Sequence, residues 1–161
     1  MNNYEGKFAG VLYLIIYILS TFGLVYSFIS VQLKQLNSLD LLEFKDYTFL
    51  RKANPLLVFI IIINFLSMAG IPPLSGFISK FFVFEGLIEL NNLRLVVILI
   101  LMSLISAYYY IRPIKILLFS TSKRPKFFDE ISFSSSLIIL IFFFFNLCLV
   151  LEPYLLFDLF L

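Results

Sequence analysis

Lys80 constrains this chain more than any other residue. It is the only ionisable group in an apolar run of 32 residues, 53–84, and it follows the helix-breaking string Ala69-Gly70-Ile71-Pro72-Pro73-Leu74-Ser75-Gly76. A lysine at membrane depth costs about 3 kcal/mol on insertion scales, so such residues are rare and mark functional positions. A broken helix at that depth survives only where protein buries it or where it lines a watery cavity. Together the two features point to an ion or proton pathway.

The rest of the composition agrees that the run lies in a membrane. Of 161 residues, 61% are hydrophobic and only 14% charged, with a mean hydropathy of +1.04. Soluble domains carry about 25% charged residues, so the chain reads as an integral membrane protein. A single cysteine, Cys148, cannot form an internal disulfide, and the absence of histidine removes the commonest general base and metal ligand. Net charge is only +2. The basic residues sit beside apolar stretches, where membrane topology accounts for them and a nucleic-acid partner is not needed. The 21 Phe and 9 Tyr without any Trp fit an A+T-rich coding sequence of the kind small organelle genomes carry. Composition alone leaves organelle and bacterial origins equally open.

Four stretches lack charge: residues 8–33, 53–79, 95–111 and 131–151. A helical span needs about 20 residues, and the first stretch is too long for the apolar core of a signal peptide, about 7–15 residues. The breaker string makes the second stretch ambiguous. Residues 54–90 as one straight helix would run about 55 Å, against a hydrocarbon core of about 30 Å. Either the segment turns back at Pro72-Pro73 as a hairpin, or it crosses once with an unwound middle.

Basic residues discriminate between the two. One crossing places Lys34, Lys45, Arg51, Lys52, Arg112, Lys115, Lys123, Arg124 and Lys126 on one side, with Lys7 and Arg94 opposite: nine against two. A hairpin redistributes the same residues six to five. The first is the bias expected between membrane faces, and the second is none. The expected fold is therefore all-α and membrane-embedded, a single domain of about four crossings (8–33, 54–90 broken, 94–117, 132–151). The second crossing is discontinuous at Gly70–Gly76, and both termini lie opposite the positive side. Tyr13, Tyr17 and Tyr26, and Tyr108-Tyr109-Tyr110, read as interfacial anchors. The loop holding Asp40, Glu43 and Asp46 reads as a solvated connector.

The sequence holds no nucleophile–base pair, metal-ligand cluster or phosphate-binding glycine loop. Nothing in it supports small-molecule catalysis, a bound cofactor or a metal in this chain alone. The interrupted span supports other chemistry. A first half-helix from about Asn54 to Met68 would end on free carbonyls near Ser67, Met68, Ala69 and Gly70, which carry the partial negative charge of a helix C-terminus. Gly70 can take the left-handed capping conformation, and Pro72 and Pro73 prevent direct continuation. With the second half starting near Ser75, the Lys80 stem leans back over Gly76 toward the break. There it could take up and release a proton. Glu85, five residues on, either belongs to a proton route or ends the span as an interfacial carboxylate. Asn64 and Ser67 either line a hydrated path or bond a neighbouring helix.

Residues 66–84, LSMAGIPPLSGFISKFFVF, closely resemble the discontinuous helix near the C-terminus of the antiporter-like membrane subunits of respiratory complex I. These subunits are related to multisubunit cation/proton antiporters. Within them the string looks like the subunit-2 branch, bacterial subunit N. Lys52-Ala53-Asn54-Pro55, Tyr108-Tyr109-Tyr110-Ile111-Arg112 and Glu152-Pro153-Tyr154 fit that branch too. In subunit 5 an acidic residue typically follows the lysine, where this chain has Phe81. The resemblance implies that Lys80 belongs to a proton-conducting central axis. It implies two inverted repeats, each with a broken helix meeting an ion site near the midplane. It also implies partner subunits carrying NADH, FMN, iron–sulfur clusters and ubiquinone, membrane lipids as surroundings, and a mitochondrial inner membrane location.

Length departs from the family pattern, since its members are two to three times longer. The chain opens with Met1 shortly before a span, which leads to the expectation of a split subunit whose N-terminal part is a separate polypeptide; a fragment is the alternative. Two other functional readings stay open. One is a component of a cation/proton antiporter, and the other a purely structural membrane subunit whose broken helix only packs.

Overall fold

The computed structural model describes residues 4–35, 50–119 and 132–151, and every element in them is helical. The elements are α1 (Tyr4–Gln35), α2 (Leu50–Ala53), α3 (Pro55–Ala69), α4 (Ser75–Glu89), α5 (Leu93–Phe119) and α6 (Phe133–Leu151). Three are long and apolar enough to cross a membrane: Gly6–Val31 within α1, then α5 and α6. With the α3–α4 pair they make the all-α, four-crossing membrane architecture that the apolar pattern implies. Asp40, Glu43, Asp46, Lys45, Lys123, Arg124, Lys126 and Glu152-Pro153-Tyr154 lie outside the described residues, so part of the charge count does too.

Local sequence explains the ends of the broken crossing. Pro55 sits in the first turn of α3, where a missing N–H costs nothing. Gly70 ends that helix at φ 81°, ψ 40°, a left-handed conformation that glycine adopts without penalty. The helix resumes at Ser75, so the break itself is residues 70–74. Gly76, expected at the break's far edge, lies in the first turn of α4.

Helix α1 shows how the two halves are disposed. Near its C-terminal half, Gly23 faces Asn64 of α3. Tyr13, Ile16, Tyr17 and Ser20 border the break region. Near its N-terminus, Gly6 meets Gly86 of α4, whose added Cβ would stand 3.4 Å from the Gly6 Cα. The order along α1 is thus α3, break, α4, run antiparallel over about 26 Å. That is one interrupted crossing and not a hairpin, in which both halves would lie over the same stretch of α1. Gly86 turns its side without a Cβ toward α1, a small-residue contact of the kind common between membrane helices.

The apolar core gathers on the α3 side. Leu24 and Val31 of α1, Leu57, Ile61 and Phe65 of α3, Ile114 and Leu117 of α5 and Ile139 of α6 form one buried cluster. A smaller one joins Leu12 and Ile16 to Leu149 of α6. Arg51 of α2 donates to the Leu118 carbonyl in the last turn of α5, placing a cation at that helix's negative end. Along residues 93–111 of α5 only Val96 is buried, leaving an apolar surface outward.

Candidate functional site

An α-helix leaves its last four carbonyls without intrahelical partners. In α3 these belong to Leu66, Ser67, Met68 and Ala69. The glycine cap takes up two of them. Gly70 N–H donates to Ser67 O at 2.9 Å and to Leu66 O at 3.1 Å, and Ile71 N–H donates to Leu66 O at 3.2 Å. Lys80 takes up the other two: its Nζ donates to Met68 O at 3.2 Å and to Ala69 O at 3.0 Å. The ammonium of the second half-helix therefore completes the C-terminus of the first, at its partially negative end.

Of the four carbonyls expected from sequence, Ser67 to Gly70, two meet the amine. Ser67 is not free, because the cap uses it; Met68 and Ala69 are the pair that meets the amine.

Both flanking glycines are required sterically. A Cβ on Gly70 would meet Lys80 Nζ at 2.8 Å, on a backbone that already has positive φ. A Cβ on Gly76 would stand 1.8 Å from the Ser67 carbonyl oxygen. The space beside Gly76 is filled by the α3 backbone, so this glycine sets how closely the two half-helices approach. The start of α4 has no side-chain cap of its own, since its N-cap is Leu74. Ser67 Oγ supplies one from across the break by accepting from Gly76 N–H at 3.2 Å.

Around this junction lies a set of buried polar groups. Ser20, Ser67, Ser75, Ser79 and Asn146 are all buried. Ser67 and Ser75 hydroxyls are 3.1 Å apart, and Ser79 Oγ donates to Gly76 O at 3.0 Å. Ser20 of α1 and Ser75 of α4 both donate to Asn146 Oδ1 of α6, at 3.1 and 3.2 Å. A cavity of about 10 Å³, the size of about one water molecule, opens between Lys80, Ser20, Ser67, Ser79, Tyr13 and Tyr17. The hydroxyls and the amine among its otherwise apolar walls are partners that a single water can bridge.

Of the residues singled out by sequence, the structure brings together Lys80, Gly70, Gly76 and Ser67. Pro72 and Pro73 occupy the break on its exposed side. Glu85 is exposed on α4 and does not border the cavity. Asn64 is buried against Gly23, and its Nδ2 has no hydrogen-bond partner among the described residues. Tyr13 and Tyr17, expected at the membrane interface, instead flank the Lys80 cavity with their rings stacked 6.2 Å apart. Tyr110 of α5 interacts with Tyr17 through its side chain, while Tyr108 and Tyr109 are exposed. Sequence reasoning missed Ser20 and Asn146 altogether. The signal for Asn146 was a lone amide in an apolar span, the same kind of anomaly that marked Lys80.

Fold and site together define a polytopic helical membrane protein organised around a discontinuous helix with a lysine at its break. The chain belongs to the family described as NADH:quinone oxidoreductase/Mrp antiporter, transmembrane region, whose model matches residues 1–106. It is similar to NADH-quinone oxidoreductase subunit N of Desulforamulus reducens, 39% identical over 109 residues, covering 67% of this chain and 22% of the relative. The subunit N of Nitrosomonas europaea is 33% identical over 120 residues, 74% of this chain and 24% of that protein. That of Cytophaga hutchinsonii is 46% identical over 70 residues, 44% and 15% respectively. The chain thus spans less than a quarter of the length of these relatives.

Proposed function

We propose that this chain forms part of the proton-pumping membrane arm of respiratory complex I, and that Lys80 loads and passes on a proton. The observation that carries the reading is the seat of the Lys80 amine on the Met68 and Ala69 carbonyls, beside a water-sized cavity lined by hydroxyls. An amine held this way has dipoles to stabilise its charged form and a hydroxyl-lined pocket through which a proton can arrive or leave. The match to subunit N over most of the chain supports the oxidoreductase over an antiporter. NADH oxidation, FMN, iron–sulfur clusters and ubiquinone chemistry belong to partner subunits in this reading. The location is the mitochondrial inner membrane. The helices of the first repeat, which lie in the part of subunit N that these residues do not match, complete the pathway in this reading. Glu85, exposed and away from the cavity, is assigned no step.

The test is Lys80→Ala in the assembled complex. Electron transfer from NADH to quinone should persist while protons moved per electron pair fall. Pumping equal to the unaltered complex would remove Lys80 from the mechanism. Purification with flavin and iron–sulfur subunits supports the oxidoreductase; sodium-dependent exchange without them supports the antiporter.

A further inference from the structure

The hydrogen bonds around Asn146 have only one consistent direction. Its Nδ2 donates to Phe142 O, one turn back in α6, at 3.1 Å. A carbonyl can only accept, so the amide is oriented with Oδ1 toward α1 and α4. Ser20 and Ser75 must both donate to that oxygen. A hydroxyl carries a single hydrogen, so Ser75, having given its own to Asn146, must accept from Ser67 across their 3.1 Å contact. Ser67 Oγ in turn accepts from Gly76 N–H. A polarised chain results: Gly76 N–H to Ser67, Ser67 to Ser75, Ser75 to Asn146, with Ser20 joining at the same acceptor.

We infer that Asn146 is a positioning residue for Lys80, acting through Ser75 and Ser67. Its carbonyl oxygen anchors the first residue of α4 to α6 and α1, and it fixes the direction in which the Ser67 hydroxyl points beside the Lys80 cavity. Loss of this acceptor removes the shared partner of the buried Ser20 and Ser75 hydroxyls. Ser75 is then free to reverse and donate to Ser67, which turns the Ser67 hydrogen away from Ser75 beside the Lys80 cavity, and the first turn of α4, one turn before Lys80, is no longer anchored to α6. The geometric claim stands on these contacts alone; its effect on proton transfer rests on the function proposed above.

The test uses the full chain in its membrane assembly. In a high-resolution map of Asn146→Leu, Lys80 Nζ should lie beyond hydrogen-bond distance of Met68 O and Ala69 O. Ser75→Ala, which removes one hydroxyl and nothing else, should show the same displacement and carries the test if the leucine variant fails to assemble. An unmoved Lys80 in either variant overturns the inference. Asn146→Leu should also lower coupled proton translocation about threefold to tenfold, the scale of a lost buried hydrogen bond, and should shift its pH profile. Placed in a Lys80→Ala background it should lower it no further. An equal loss in both backgrounds overturns the coupling to Lys80. Should Lys80→Ala pump normally while Asn146→Leu still displaces the amine, the proton reading fails and the positioning role stands.

Discussion

The Nζ of Lys80 lies 3.0 Å from the carbonyl oxygen of Ala69, eleven residues earlier in the chain. One half of a discontinuous helix is thereby terminated by a side chain of the other. In a soluble protein water would donate to these carbonyls; at membrane depth each one left unpaired costs several kcal/mol. The amine therefore has a structural duty as well as the proposed chemical one, and the two separate under mutation.

Lys80→Arg separates them most directly. Arginine keeps the donors that α3 needs and stays protonated under all physiological conditions. The variant should assemble better than Lys80→Ala yet pump no better. Comparing assembled complex in membranes with protons moved per electron pair checks this, and full pumping by the arginine variant would contradict proton release from Lys80.

Gly76→Ala should be the most damaging of the glycine substitutions. Its methyl group would occupy the position of the Ser67 carbonyl, 1.8 Å away, so the half-helices must part. Assembly should fall sharply. Gly10→Ala is the control, because nothing lies within 4 Å of its added Cβ. That change should alter stability by no more than about 1 kcal/mol, in the favourable direction, given alanine's helix preference.

Gly70→Ala should destabilise by about 1–2 kcal/mol from the left-handed backbone alone. It should further displace Lys80, whose Nζ stands 2.8 Å from the added carbon. Thermal denaturation of the purified assembly reads the first effect, and proton translocation the second.

Asn64→Leu should be neutral or stabilising. The amide is buried with its Nδ2 unpaired among the described residues, and an apolar side chain of similar size removes that desolvation cost, about 1–3 kcal/mol. A clear fall in melting temperature would show that Asn64 has a partner in the assembly.

What the sequence reveals here is what local chemistry determines. Gly70, Pro72 and Pro73 act on their own backbone, so the break can be read from their order. The backward lean of helical side chains aims Lys80 at the first half without any knowledge of the other helices. Tyr13, Tyr17, Ser20 and Asn146 are different. Ser20 meets Asn146 across 126 residues and Ser75 meets it across 71, and no periodicity within one span specifies such pairings. A tyrosine in an apolar stretch carries the same local signal at the interface as at mid-depth. Only the packing of α1 along the broken crossing puts Tyr13 and Tyr17 at the cavity.

That packing has a mechanical consequence. Because one uninterrupted rod touches both α3 and α4, it works as a splint across the fracture at residues 70–74. It meets α3 where Gly23 faces Asn64, and α4 where Gly86 faces the Gly6 backbone. Any opening of the gap therefore requires one of the two pieces to leave its contact with that rod.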